Sequence, residues 1–369
     1  MKKTNVLQFI CSTGFYGAER WVLALANNLD SDNFNTELAV TMEPEQNRLE
    51  VVNHFKGKSH EIPMKNRFDL SVVSRLSKLI KDNNIDIIHT HGYKSDILGL
   101  LAAKKAGIKS VATPHGFDGS ESLKLWLFGE LGDFCLRFYD RVVPLSEKLL
   151  AHAKKKGVPD AKLQLIQNGV DLKEVDAHLV NKKPSSSDIK KIGFIGQMIP
   201  RKNVSHILEI FDNISQAHNG IELILLGDGE VRKSLEEEAS RLSSAKNIKF
   251  LGFRNDRLEI LSQFDMFVMA SSYEGIPRCL MEAMAMEVPV TAYDIPGIDK
   301  LITSKNTGLL APLNDKDALT AHWETILFKK DIASSIGKKG REFVVSNFSA
   351  ARMAKEYEHL FDQLLKSLD

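Results

Sequence analysis

Short apolar runs of strand length alternate with stretches of helical periodicity along nearly the whole chain, and midway the pattern breaks and starts afresh. Such alternation is the signature of a parallel sheet covered by helices. In the first half, strands are expected at 5–10, 36–41, 85–89, 110–113, 141–144 and 163–166, with helices such as 18–29 and 70–82 between them. The polar stretch after Asn181, with Pro184 and three serines, reads as a linker before a new strand at 191–195. Further strands are expected at 222–226, 248–251, 266–270, 288–292 and 308–311, and helices at 204–218 and 231–242. The expectation is an α/β chain of two doubly wound, Rossmann-like domains, 1–182 and 183–349, whose strand-end loops face a central cleft. The closing segment 350–369 carries Met353, Tyr357, Leu360, Phe361 and Leu364 at helical spacing and is expected to pack back across the domain boundary.

With 369 residues, the chain exceeds what one hydrophobic core usually supports. A hydrophobic share of 43% against 26% charged excludes disorder for the bulk of it. Lys plus Arg number 49 against 48 Asp plus Glu, so no global field holds nucleic acid, and any anion must be held locally. Cys11, Cys135 and Cys279 are odd in number and form no C-x-x-C, as for reduced thiols in a cytosolic protein. The apolar stretch 6–11 is short and carries Gln8, which reads as a buried first strand and not a secretory leader. No run of about 18 apolar residues could span a membrane.

The stretch Ser271 to Glu282 follows directly on the strand at 266–270. Pro277 suits the first position of a helix, leaving Glu274 and Gly275 in the loop and Glu282 just over one turn inside. The helix amino end, from Gly275 through Ile276 and Pro277 to Arg278, offers unpaired N–H groups to a phosphate. Glu282 could accept hydrogen bonds from sugar hydroxyls, although a cap at Glu274 and a solvated face at Glu282 describe the same residues. Arg201 and Lys202 follow the strand at 191–195 and could clamp a diphosphate, Arg bidentate and Lys as a point charge. A solvated charge pair is the alternative.

Gly227-Asp-Gly229 opens a helix but lacks the third glycine of a dinucleotide fingerprint, so a tight turn also explains it. Gly14 and Gly17 frame a loop at the first helix whose backbone could approach a phosphate or sugar. His89, His91 and His115 all fall at strand carboxyl ends, where a site is expected. No metal site is expected: Asp30-Ser-Asp32 and Asp315-Lys-Asp317 read as turns or caps. There is no G-x-S-x-G for a serine hydrolase and no basic patch interleaved with aromatics. The segment 121–141 is rich in large apolar residues; core packing explains it, and partial exposure would make it a surface for a lipid-linked acceptor or the bilayer.

Taken together, these residues make the chain resemble the retaining glycosyltransferases of the GT-B fold, specifically glycosyltransferase family 4. The resemblance runs over nearly the full length and rests on Glu274-x7-Glu282, Val288-Pro-Val290 with Gly297, the Gly14 to Arg20 loop, His91-Gly92, His115-Gly116, Asn168-Gly-Val-Asp171, Arg201-Lys202, Leu226-Gly-Asp-Gly and Leu251-Gly-Phe. It implies that Glu282 binds the ribose and Glu274 the donor sugar. It further implies that Arg201 and Lys202 hold the diphosphate, aided by Gly275 to Arg278, by Gly14 and Gly17, and by Gly227. His115 would touch the donor sugar near the reacting carbon, and the base would rest near Phe253 and Arg254. Acceptor recognition would fall to Tyr16, Glu19, His91 and Lys94. Glu287 stands where the family commonly has glycine, and Asn203 where a glycine commonly follows the Lys.

The implied activity is metal-independent transfer from a nucleotide-diphosphate sugar, UDP-sugar favoured and GDP-sugar possible, to a saccharide or lipid-linked saccharide in cell-surface polysaccharide or glycolipid synthesis. It would take place in the cytoplasm, peripherally on the inner face of the plasma membrane if 121–141 touches lipid. A glycosidase carboxylate pair, a sugar-nucleotide epimerase of the same architecture and a non-catalytic nucleotide-sugar-binding protein are the competing readings.

Overall fold

The computed structural model describes residues 3–11, 14–15, 17–43, 49–66, 69–115, 123–180 and 189–366, without the side chains of 123–127. The chain divides into two compact units, one of Met1–Gly169 with Ala350–Asp369 and one of Val170–Ser349.

The first unit is built on β1 (Thr4–Ile10), β2 (Phe34–Met42), β3 (Ser59–Pro63), β4 (Ile87–His91), β5 (Lys109–Thr113) and β6 (Arg141–Val142). Their order across the sheet is β3-β2-β1-β4-β5-β6, and every pair is parallel. Val6, Leu7 and Phe9 of β1 are fully buried, so successive residues on both faces meet core, as the apolar runs require. The second unit repeats the plan with β7 (Lys190–Ile195), β8 (Ile221–Leu226), β9 (Ile248–Gly252), β10 (Met266–Met269), β11 (Val290–Tyr293) and β12 (Leu309–Ala311), in the order β12-β11-β10-β7-β8-β9. In each sheet the winding reverses once, between β1 and β4 and between β7 and β10. At such a reversal the loops leaving two neighbouring strands diverge to opposite faces, and the crevice between them is where open α/β sheets bind ligands.

Three sequence expectations are corrected. Residues 59–63 form a strand that the pattern does not reveal, because β3 is an edge strand with a single buried apolar residue, Ile62. Residues 163–166 form only an isolated bridge to β6. Gln164 and Ile166 donate to the carbonyls of Val142 and Pro144, but proline has no N–H to extend the ladder. The first unit ends at Gly169, upstream of the expected 182. Val170 N donates to Phe348 O at 2.8 Å, and Val175 of the helix Leu172–Leu179 belongs to the second core. The expected linker at 182–188 lies outside the described residues.

The helix Ala350–Lys366 packs on the first unit, where Met353, Tyr357, Leu360, Phe361 and Leu364 share a core with Trp21, Leu25 and Phe34. Tyr357 OH lies 2.8 Å from Thr113 Oγ1 at the end of β5, and Arg352 Nη2 donates to Gln167 O at 2.7 Å. Among the described residues no helix is long and apolar enough to cross a membrane. Asp30 accepts from Asp32 N and Asn33 Nδ2, and Asp315 caps the helix Lys316–Phe328 through Ala318 N, so both Asp-x-Asp motifs form a turn or a cap.

Candidate active site

The winding reversal of the second sheet sets the loop after β7 beside the loop after β10. A 3-10 turn at Pro200–Lys202 carries the two cations, and the chain then passes through Asn203 at φ 47°. The left-handed conformation is one that asparagine tolerates better than most residues, and Asn203 Nδ2 further secures it by donating to Ala270 O at 3.0 Å. Asn203 thus supplies what a glycine would, together with a tie to the neighbouring loop. Ser272 N completes the tie, donating to Arg201 O at 2.9 Å.

Held this way, Lys202 donates through Nζ to Glu274 Oε1, both side chains being buried, and Arg201 Nη1 stands 3.6 Å from Glu274 Oε2. Arg201 also donates to Tyr273 O at 3.2 Å, but its side chain keeps 38% of its surface open to solvent. The two cations therefore differ: Lys202 fixes the carboxylate, and Arg201 is the one accessible to an incoming anion. Gly275 has no atom within 4 Å of where a Cβ would stand, so the space beside Glu274 is open. Behind the loop, Gly297 at φ 97° brings its Cα side so close that a Cβ would lie 1.7 Å from Gly275 O.

The second carboxylate lies on the helix Arg278–Ala285, with Pro277 extended at the N-cap, one position before the helix, where sequence puts it at the first helical residue. Glu282 is 2% exposed. Arg257 grips it through Nη2 on Oε1 at 2.7 Å and Nε on Oε2 at 3.2 Å, and Arg278 Nε donates to Oε1 at 2.8 Å. Burial alone would raise the Glu282 pKa, but the two guanidiniums outweigh it and hold it down to about 2. Glu282 is ionised at every physiological pH and acts only as an acceptor. Glu174 bridges the same arginines from the helix Leu172–Leu179, 3.2 Å from Arg257 Nη2 and 3.5 Å from Arg278 Nη2. Arg257 and Glu174 complete the ion-pair network around Glu282 in the candidate site, and sequence reading missed both. The only signal was an arginine three positions beyond Arg254, beside the expected base-binding loop.

Other expected residues find different surroundings. The fold itself requires Gly227: at φ 132°, a Cβ there would stand 1.8 Å from Gly196 O. Phe253 is 46% exposed, and Arg254 pairs with Asp256 through Nε at 2.7 Å. Ile276 is buried in the second core.

In the first unit, Gly17 opens the helix Gly17–Ala26 with no atom near its Cβ position, Gly14 lies in a bend, and Tyr16 lies outside the described residues. Glu19 is buried in the first turn of that helix. Lys94 stands 3.5 Å from Glu43. His91, expected toward the acceptor, is 3% exposed with Nε2 2.8 Å from Gln8 Oε1 and Nδ1 3.2 Å from His115 Nε2. Both its ring nitrogens are engaged, so it meets other protein groups and not a surface-bound acceptor. His89 Nε2 reaches Thr113 Oγ1 at 2.7 Å, and Trp21 closes over His89, His91 and His115 at 5.9, 5.3 and 5.1 Å between ring centres.

Two doubly wound units of this topology are the architecture of GT-B enzymes. HepE of Anabaena in its complex with UDP and glucose superposes with a TM-score of 0.80 at 17% identity, covering 97% of this chain and 99% of that one. Sucrose-phosphate synthase from Thermosynechococcus elongatus does so at 0.76 and 19% identity, covering 99% and 100%. The glycosyltransferase family 4 profile matches residues 15–174, and that of glycosyl transferases group 1 matches 176–343. An Escherichia coli UDP-Gal:alpha-D-GlcNAc-diphosphoundecaprenol alpha-1,3-galactosyltransferase is 30% identical over 310 residues, 79% of each chain. The capsular polysaccharide biosynthesis glycosyltransferase CapM of Staphylococcus aureus is 23% identical over 339 residues, covering 84% of this chain and 86% of CapM. The chain belongs to glycosyltransferase family 4 and is a GT-B glycosyltransferase.

Proposed function

We propose that this glycosyltransferase takes a sugar from a nucleoside diphosphate sugar, UDP-sugar favoured, and transfers it with retention and without a metal to a saccharide or lipid-linked saccharide. The observation that carries the reading is the bonded pair of loops at 200–203 and 270–275, which gathers two cations, a carboxylate and a helix amino end at the winding reversal of one sheet.

Breaking the bond between the anomeric carbon and the diphosphate builds negative charge on the leaving phosphate. Arg201 and the N–H groups at the start of the helix Arg278–Ala285 oppose that charge without reorganising, which is how preorganised donors lower a barrier. Lys202 orients Glu274 toward the sugar hydroxyls. Arg257 and Arg278 take both lone pairs of Glu282 Oε1 and one of Oε2, and the remaining one on Oε2 accepts from the ribose. For retention, the acceptor oxygen bonds to the anomeric carbon on the face of the sugar from which the phosphate leaves, and the departing phosphate takes the acceptor's proton.

The glycosidase reading fares worse, since it needs one carboxylic acid that holds its proton near neutrality. Glu282 is held down to about 2, and Glu274 is clamped by Lys202. A UDP-sugar donor and a lipid-linked acceptor are supported by the likeness to the Escherichia coli UDP-Gal:alpha-D-GlcNAc-diphosphoundecaprenol galactosyltransferase, and polysaccharide synthesis by the likeness to CapM. Cytoplasmic placement with peripheral membrane contact is supported by the described part of 121–141, where Leu131, Phe134 and Phe138 are 46%, 48% and 49% exposed beside Arg137. Exposed apolar residues on the end of the helix Leu123–Leu136 and in the turn after it, with a cation alongside, suit an anionic bilayer.

Incubation with a panel of UDP- and GDP-sugars and saccharide or polyprenyl-linked acceptors tests the proposal. Free nucleoside diphosphate with a heavier acceptor product, undiminished by EDTA, is expected. An altered donor without acceptor would indicate an epimerase, and binding without turnover across the panel a sensor.

A further inference from the structure

Imidazoles at strand ends of the first unit, His91 buried and His115 partly so, form a directional chain. Gln8 on β1 faces His91 at the end of β4, and His91 in turn faces His115 two residues beyond β5. Burial pushes the pKa of all three histidines of this group down, that of His115 to about 3, so each is neutral at pH 7. A neutral imidazole has one donor nitrogen and one acceptor nitrogen. Gln8 Oε1 can only accept, so at 2.8 Å His91 Nε2 carries the proton. The lone pair of His91 is then on Nδ1, 3.2 Å from His115 Nε2, which must donate. His115 is left with its lone pair on Nδ1. Gln8 Nε2 has no hydrogen-bond partner; turning that amide over would reverse every bond in the chain and put the proton on His115 Nδ1.

We propose that Gln8 and His91 are positioning residues that fix His115 as the Nε2–H tautomer, so that His115 meets a sugar hydroxyl only as an acceptor, through Nδ1. This rests on the reading above that His115 touches the donor sugar. The relay belongs entirely to the first unit, and its polarity is set by one amide three positions before Cys11. Fixing a tautomer from behind is how a second group sets what an imidazole can offer to a substrate.

Protein labelled with 15N at histidine, read by long-range proton–nitrogen correlation, tests the proposal. In the wild type, His115 is expected to show a protonated Nε2 and an unprotonated Nδ1 as one species. Gln8→Met and His91→Phe keep the volume and remove the relay; both are expected to mix the His115 tautomers and lower turnover roughly tenfold or more, as a ring in the wrong tautomer offers a proton where a lone pair is needed. His91→Asn, whose amide oxygen can take the place of Nδ1, is expected to restore both. A wild-type His115 protonated on Nδ1, or a tautomer unchanged in Gln8→Met and His91→Phe, overturns the relay. Saturation with whichever of UDP-galactose, UDP-glucose or GDP-mannose turns over is expected to shift His115 Nδ1; a fixed ring that does not respond overturns the sugar contact while leaving the relay standing.

Discussion

Lys202 and Glu274 lie 72 positions apart in the sequence and meet as a buried ion pair, with side chains 9% and 7% exposed. Removing one partner of such a pair strands a charge and costs about 3 to 5 kcal/mol. Lys202→Ala is therefore expected to lower stability sharply, and the double variant Lys202→Ala/Glu274→Gln to recover much of it without recovering turnover. Arg201→Ala, by contrast, is expected to fold normally and lose roughly a hundredfold in turnover, the scale of one lost charge-stabilising donor. Urea unfolding and steady-state kinetics on the same four proteins separate the two roles.

Gly275 and Gly297 touch, yet they are glycines for different reasons. A Cβ at 275 meets nothing, whereas one at 297 would stand 1.7 Å from a backbone oxygen. Gly275→Ala is expected to leave stability within about 0.5 kcal/mol of wild type. Because it fills the open space beside Glu274, it should weaken nucleotide-sugar binding about tenfold, or 1.4 kcal/mol. Gly297→Ala should lower stability by about 2 kcal/mol or more, since the loop must move and φ is positive. Thermal melts with and without nucleotide read both effects.

Glu282 gives the free protein a defined acid response. Its pKa is lowered in the folded state, so between the ordinary carboxylate value and about 2 the unfolded chain binds more protons. The stability it contributes is present above about pH 4.5 and lost as pH falls toward 2. The gap in unfolding free energy between wild type and Glu282→Gln is expected to be constant at neutral pH and to close through that window. Glu282→Ala, which leaves Arg257 and Arg278 with Glu174 as their remaining shared carboxylate, should cost about 3 kcal/mol at pH 7.

Asn203 and Glu287, the two positions where the family resemblance leads one to expect glycine, are both left-handed, at φ 47° and 58°. Asn203 is held by its bond to Ala270 O, while Glu287 has a 3.9 Å approach to Arg341. Glu287→Gly should thus be neutral or stabilising by up to about 1 kcal/mol, and Asn203→Gly destabilising by about 1 kcal/mol. Denaturant titrations that reverse this order would show that the side chains, and not the backbone, decide.

Most of the placement of the candidate site was legible because strand ends are legible. Once β7 and β10 were read from their apolar runs, Arg201, Lys202 and Glu274 had to lie in loops at carboxyl ends, where a parallel sheet collects its chemistry. Arg257 and Glu174 were not legible, since the bonds of Arg257 to Glu282 and to Glu174 join residues 25 and 83 positions apart. A buried arginine looks like any other charged residue until its carboxylate is known. The unit boundary was missed for a related reason: Val170 and Val175 carry the same apolar signal whichever core receives them, and only the pairing with Phe348 assigns them. His91 shows the reverse error, for a polar residue at a strand end looks like a ligand contact until its partners Gln8 and His115 are seen.

Calorimetric titration of UDP in EDTA, into wild type and Arg201→Ala, tests the central claim most directly: that cations and a helix amino end in the second unit hold a nucleoside diphosphate without a metal. The account predicts metal-free binding that weakens at least about tenfold in Arg201→Ala, with uridine binding both proteins alike. UDP that binds Arg201→Ala as tightly as wild type, or that binds neither until a divalent cation is added, would contradict it.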